Sequence, residues 1–311
     1  MAKIVVANPP AVQDMTLRMA LFPSRWTCYD PHYAVQYYPY QLAYLSSMLK
    51  DEGHDVKFID GDLLNLNEKS FLKIMEYEKP HIIVFESSTP TIDQDLRMAR
   101  ELKDRYGTTS IFTGQYPSAL PDEVIKDGAD YVVRFEYEEV VTNLVERLMN
   151  GDEPEDRIYD APAVDVNKLP FPEHDDVDIT EYRTPIEPIN EIQMYATRGC
   201  IFKCPYCVYA NLYSQKANYR KRDPEKVCNE IEHYLDKYKF EGVWFNDEYH
   251  NVDTKYINDL SAEIQQRGLN NKRKLERDGA TGTMTAAQTT AQKNADHHMP
   301  RLGLRPTASQ D

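Results

Sequence analysis

The first 150 residues alternate short apolar, β-branched runs with segments of helical period, and no other feature of the chain narrows its fold as much. "KIVVANPP" reads as a strand ending at Asn8, and "YQLAYLSSMLKDEG" reads as a helix stopped by Gly53. "DVKFIDGD" is a second strand, followed by the helical "EKSFLKIMEYEKP". "HIIVFESS" is apolar almost throughout, as a strand covered on both faces should be. In the segment after it, Ile92, Leu96, Ala99 and Leu102 recur at helical spacing. "SIFTGQ" with "LPDEVIKDG", then "DYVVRFE" with "EVVTNLVERLMNG", complete the series. The pattern predicts an α/β fold, with a doubly wound parallel sheet over residues 1–150.

In such sheets ligands bind beyond the carboxyl ends of the strands. The turns there contain Asn8, Asp60-Gly61, Ser87-Ser88-Thr89, Gly114-Gln115 and Glu136. These residues are small, polar or turn-forming, which suits close approach of backbone to a ligand. The same residue types also cap helices and make turns with no ligand involved, so both meanings stay open. No GxGxxG and no Walker A sequence occurs, so the usual phosphate-binding glycines of dinucleotide and nucleoside-triphosphate sites are missing.

Residues 151–190 are rich in Pro and Asp and read as an ordered but irregular connector between domains. A second βα series starts at "EIQMYATRGC" and runs through "DPEKVCNEIEHYLDKYK", "GVWFNDEYH" and "DTKYINDLSAEIQQRG", so residues 191–268 read as two further βα units. From Leu269 to Asp311 there is no aromatic residue, no Val and no Ile. Such a segment buries little apolar surface against its ordering entropy, and 269–311 is expected to be a disordered, non-native tail.

The formal net charge of −15 disfavours phosphate backbones and anionic lipid, so nucleic acid and membrane are not expected as partners. The start "MAKIVVANPP" does not have the form of a signal peptide. A cytoplasmic location is expected, where reducing conditions favour metal or redox roles for clustered cysteines. Of the five cysteines, Cys200, Cys204 and Cys207 crowd into "TRGCIFKCPYCVYANLY", while Cys28 and Cys228 stand alone and read as small buried residues. Three thiolates on one loop are one short of a structural zinc site, and His233 and His250 are the nearest further candidates. An iron–sulfur cluster with one iron left open fits three thiolates better.

"RGCIFKCPYC" resembles the CxxxCxφC signature of the radical S-adenosylmethionine superfamily, with Tyr206 as the aromatic before the last cysteine. The resemblance implies that Cys200, Cys204 and Cys207 hold a [4Fe-4S] cluster whose fourth iron binds S-adenosylmethionine. Reductive cleavage would then give methionine and a 5′-deoxyadenosyl radical. It further implies that backbone around Tyr206 faces the adenine and that Asp247 and Glu248, in "WFNDEYH", meet the cofactor's ammonium. A solvated strand end is the plainer alternative for the two acids.

The first 150 residues are similar to the cobalamin-binding domain that precedes the barrel in one radical subgroup. On that likeness Asn8, Ser87, Ser88, Thr89, Gly114, Gln115 and Glu136 are the candidate cobalamin contacts. The chain departs from the subgroup's turns at Gly114-Gln115-Tyr116 and at Phe135-Glu136-Tyr137-Glu138. It also lacks a DxHxxG sequence, so cobalamin is expected to bind without a protein histidine on cobalt. His54 reads as structural.

The implied chemistry is methyl transfer or radical rearrangement on a small-molecule or peptide substrate, with a flavodoxin or ferredoxin as electron donor. The resemblance spans residues 1–268, and the sequence shows two βα units of what is expected to be a partial β/α barrel. Two other readings remain at this point: a catalytically incomplete iron–sulfur or cobalamin-binding remnant, and a zinc-binding protein. The basic run Lys216 to Arg222 reads as a solvated lead-in to a helix or as a contact for an anionic substrate.

Overall fold

A computed structural model describes residues 3–10, 38–172, 174–182, 191–213, 219–238, 240–250 and 252–269, together with the backbone of 274–280 and 301–303. Cys28 lies outside them. The chain divides into two compact units. One comprises Met1–Val164, Leu169–Pro185 and Cys204–Ala217, and the other comprises Asp165–Lys168, Ile186–Lys203 and Asn218–Asp311.

The first unit holds strands β1 (Lys3–Asn8), β2 (Asp55–Asp60), β3 (Ile82–Glu86), β4 (Thr109–Thr113), β5 (Tyr131–Arg134) and β6 (Ile158–Asp160). Helices α1 (Tyr40–Asp51), α2 (Glu68–Glu78), α3 (Ile92–Tyr106), α4 (Gln115–Ala119), α5 (Pro121–Lys126) and α6 (Glu138–Met149) lie between the first five strands and after β5. The strands form one parallel sheet in the order β2-β1-β3-β4-β5-β6. Val5, Ala7, Ile83, Phe85, Phe112 and Val132 share a core with Phe71 and Met75 of α2 and with Leu96 and Leu102 of α3. Each fully buried side chain of this size stabilises the fold by about 1.5–3 kcal/mol. The intervening residues Ile4, Val6, Val84, Ile111 and Val133 are just as buried, as a sheet covered on both faces requires. On that side α1 packs on α6, β1 and β2. Helix α2 starts with a reciprocal cap in which Asn67 Oδ1 accepts from Ser70 N at 2.8 Å and Ser70 Oγ accepts from Asn67 N at 2.9 Å.

The expected connector, of which residues 173 and 183–190 lie outside the described residues, is regular in one short strand. Ile158–Asp160 adds β6 to the sheet, giving the outer edge of β5 a hydrogen-bonding partner. Asp176 takes Lys57 Nζ at 2.7 Å, Lys50 Nζ at 2.9 Å and the Phe58 amide at 2.9 Å. Tyr182 donates to buried Asp60 at 2.7 Å. Polar side chains bind this stretch to the unit, which is why hydrophobic periodicity does not announce it.

The second unit holds β7 (Glu191–Met194), β8 (Thr197–Arg198), β9 (Arg220–Lys221), α7 (Pro224–Lys237), β10 (Gly242–Phe245), α8 (Thr254–Gln266), β11 (Lys274–Ala280) and β12 (Arg301–Gly303). Strands β7, β10, β11 and β12 are parallel neighbours in sequence order, and β8 pairs with β9 antiparallel. Two stretches of the expected tail are therefore strands. Backbone pairing of β11 to β10 and of β12 to β11 supplies what their side-chain pattern does not advertise, and residues 281–300 and 304–311 lie outside the described residues. Of the basic run, residues 216–218 lie outside the described residues and Lys221 is exposed, as a solvated lead-in would be, whereas Arg222 departs from that reading. Arg222 is buried, paired with Glu230, and donates to the Tyr195 carbonyl at 2.8 Å. No helix of the described residues is long and apolar enough to cross a membrane.

Candidate functional site

In the first sheet the chain reverses direction of growth at β1, which lies between β2 and β3. The crevice outside the carboxyl ends of β1 and β3 is the position at which such sheets bind ligands. Buried Asn8 ends β1, and its Nδ2 donates to Asp60 Oδ1 at 2.8 Å. Among the described residues its Oδ1 has no partner, and neither do Ser88 Oγ after β3 nor Thr113 Oγ1 at the end of β4. Three buried polar atoms left without partners along one sheet edge fit a polar ligand, because an unsatisfied buried group is costly. Gly114, with φ +99°, adds room. A Cβ there would lie 2.7 Å from the Ser87 carbonyl oxygen and 2.9 Å from its nitrogen.

The other candidates at this edge are placed as follows. Ser87 Oγ donates to Asp95 Oδ2 at 2.7 Å, Thr89 is exposed, and Gln115 opens α4 half-buried. Buried Glu136 accepts from the Val164 amide at 2.9 Å and so fastens the chain beyond β6. His54 precedes β2 at the opposite, amino end of the strands and pairs with Glu146 of α6, in keeping with a structural role.

Sequence reading missed the buried acids behind this edge. Glu86 ends β3, accepts from the Tyr137 hydroxyl at 3.0 Å, and is pushed up to about 8 by burial, with nearby Glu138 adding to the shift. Asp95 is likewise pushed up to about 7 by burial. Burial raises the Tyr137 hydroxyl well above its ordinary value. The signal for Glu86 was a lone carboxylate closing an otherwise apolar strand. Phe135 adopts φ +70°, a conformation bulky residues seldom take, and its ring meets that of Tyr213 edge-on at 6.4 Å.

Cys200, Cys204 and Cys207 are half-buried, and none is in a disulfide among the described residues. In the first unit, the Cys207 amide donates to the Cys204 carbonyl at 3.1 Å. Asn211 Nδ2 donates to the carbonyls of Cys207 at 2.8 Å, Pro205 at 3.0 Å and Cys204 at 3.3 Å. That single side chain organises the second half of the loop, and Tyr206 stands 73% exposed. In the second unit, Cys200 follows β8. Cys228 is buried in α7, with its thiol pushed up to about 12 by burial. Among the described residues no three His, Cys, Asp or Glu side chains converge closely enough to hold a metal ion. By residue type the loop offers three thiols, a donor set of the right chemistry for an iron–sulfur cluster. Asp247 and Glu248 follow β10 and are both buried.

Residues 31–145 match the family model described as B12 binding domain. An uncharacterized methyltransferase of Pyrococcus horikoshii is 25% identical over 248 residues, covering 74% of this chain and 53% of that relative. An anaerobic magnesium-protoporphyrin IX monomethyl ester cyclase of Rubrivivax gelatinosus is 29% identical over 255 residues, covering 74% of this chain and 45% of the cyclase. The chain thus spans about half the length of the curated relatives it matches. Among solved structures, the radical S-adenosylmethionine methyltransferase TsrM from Kitasatospora setae, with cobalamin and a [4Fe-4S] cluster bound, aligns with a TM-score of 0.66 at 16% identity. The alignment covers 95% of this chain and 59% of TsrM. Residues 31–145 are thus similar to a B12 binding domain, and the fold of the chain is similar to that of TsrM.

Proposed function

We propose that the protein is a cobalamin-dependent radical S-adenosylmethionine enzyme that performs methyl transfer, or a radical rearrangement, on a small-molecule or peptide substrate. The observation that carries this reading is the presence, on one chain, of a three-thiol loop and of a domain similar to a B12 binding domain, whose carboxyl edge leaves Asn8 Oδ1, Ser88 Oγ and Thr113 Oγ1 buried and without partners among the described residues. Cys200, Cys204 and Cys207 would hold the [4Fe-4S] cluster, which supplies the single electron for reductive cleavage of S-adenosylmethionine. Asn8, Ser88 and Thr113 would accept hydrogen bonds from the amide side chains of cobalamin, and Gly114 keeps their edge open. Backbone near Tyr206 is proposed to face the adenine. The electron donor is proposed to be a flavodoxin or ferredoxin.

Two measurements test this reading. The metal-free chain is titrated with hydroxocobalamin, for which saturable binding weakened in Asn8→Ala and Ser88→Ala is expected. The iron-loaded chain is then given S-adenosylmethionine and a strong reductant without oxygen. Formation of 5′-deoxyadenosine or S-adenosylhomocysteine supports the reading, and a chain that binds neither cobalamin nor iron contradicts it.

A further inference from the structure

The carboxylates that follow β10 are turned onto the chain itself. Asp247 Oδ1 accepts from the amides of Ala196 at 2.9 Å and Thr197 at 3.0 Å. Glu248 Oε2 accepts from the amide of Gly199 at 2.9 Å. Three amides within residues 196–199 therefore end on two adjacent carboxylates, and the next residue is Cys200. The second Asp247 oxygen pairs with Nδ1 of His250, a buried ring stacked on Phe245 at 5.3 Å. Gly199 has φ +104°, which a side chain at that position would resist, so the path into Cys200 is set by backbone as well.

A buried carboxylate is held in place by the charge-assisted bonds it accepts, and here those bonds come from backbone that cannot follow it elsewhere. To meet a ligand, Asp247 would have to leave two amides and a histidine stranded in a buried setting. We propose that Asp247 and Glu248 are positioning residues for Cys200: they fix residues 196–199, and so the aim of the first thiol, through their acceptor oxygens and not through a charge offered to the cofactor. The proposal rests on the reading of Cys200 as a cluster ligand.

The test compares Asp247→Asn and Glu248→Gln, which keep an acceptor oxygen, with Asp247→Ala and Glu248→Ala, which do not. Amide hydrogen exchange on the metal-free chain is expected to quicken by about a hundredfold or more at 196 and 197 in Asp247→Ala and at 199 in Glu248→Ala. It should stay within about tenfold of wild type in the Asn and Gln variants. After anaerobic loading, iron content and the electron paramagnetic resonance signature of the reduced cluster should follow the same order, with Gln rescuing what Ala loses. Affinity for S-adenosylmethionine should survive in Glu248→Gln. Should Asp247→Ala fail to fold, the two Glu248 variants carry the test. Gln and Ala variants that lose cofactor affinity alike, with exchange unchanged, overturn the proposal in favour of a charge contact. Alanine variants with wild-type exchange and wild-type iron overturn it alone, whereas a wild-type chain that takes up no iron overturns the cluster reading and the proposal together.

Discussion

Gly114 lies directly against Ser87: a Cβ on Gly114 would come within 2.7 Å of the Ser87 carbonyl oxygen. Both partners of the clash are backbone, and φ at Gly114 is +99°, so neither rotamer change nor small shifts relieve it. Gly114→Ala is expected to lower stability by about 2–4 kcal/mol. Chemical denaturation of the two proteins checks this, and a loss under about 0.5 kcal/mol would contradict the close approach.

Glu86 supplies a pH-dependent prediction. Its folded value near 8 lies above the ordinary 4.5, so the folded state favours the protonated acid. Stability from this group is whole below about pH 4.5 and is lost as pH rises towards 8. Glu86→Gln keeps an acceptor for the Tyr137 hydroxyl and has no proton to lose. Its advantage over wild type should grow across that window to on the order of 2–4 kcal/mol. Urea melts at pH 5 and pH 8.5 read the difference, and a constant offset between the two would contradict it.

Arg222 and Glu230 form a buried pair, with the Tyr234 hydroxyl donating to Glu230 at 3.0 Å. Arg222→Leu strands a buried carboxylate and should cost about 3–5 kcal/mol. Arg222→Leu with Glu230→Leu should recover much of that loss, since the second change removes the stranded charge. Thermal melts of the single and double variants check the non-additivity.

His54, paired with Glu146 at the amino end of β2, lies at the opposite edge of the strands from Asn8 and Ser88. His54→Ala should leave the absorption spectrum and affinity of bound cobalamin unchanged while costing about 1 kcal/mol of stability. A spectral shift at the cobalt axial position would show that the histidine reaches the metal.

The sheet was legible in the sequence because its strands are buried on both faces, and a run such as that ending at Glu86 leaves little choice of structure. Strand β6 was not, because three residues of unremarkable pattern carry it and backbone pairing to β5 holds it. The same holds for β11 and β12, where hydrogen bonds to a neighbouring strand substitute for a hydrophobic face. At the site, spacing alone picked out Cys200, Cys204 and Cys207, since three thiols on one loop stand out in a chain with five. The direction in which a carboxylate points is a tertiary property. The resemblance made Asp247 and Glu248 cofactor-facing acids and their place after a strand made them a solvated end, and only the fold shows them closing on residues 196–199.

Cobalamin-dependent radical chemistry on this chain requires that the three-thiol loop bind an iron–sulfur cluster. The most direct measurement is iron and sulfide content after anaerobic reconstitution of the wild-type chain and of Cys200→Ala, Cys204→Ala, Cys207→Ala and Cys228→Ala. About four irons and four sulfides per chain are expected in wild type and in Cys228→Ala, with the cluster lost from each of the other three. Stoichiometric zinc with no iron in wild type, or iron retained in all four variants, would contradict the account.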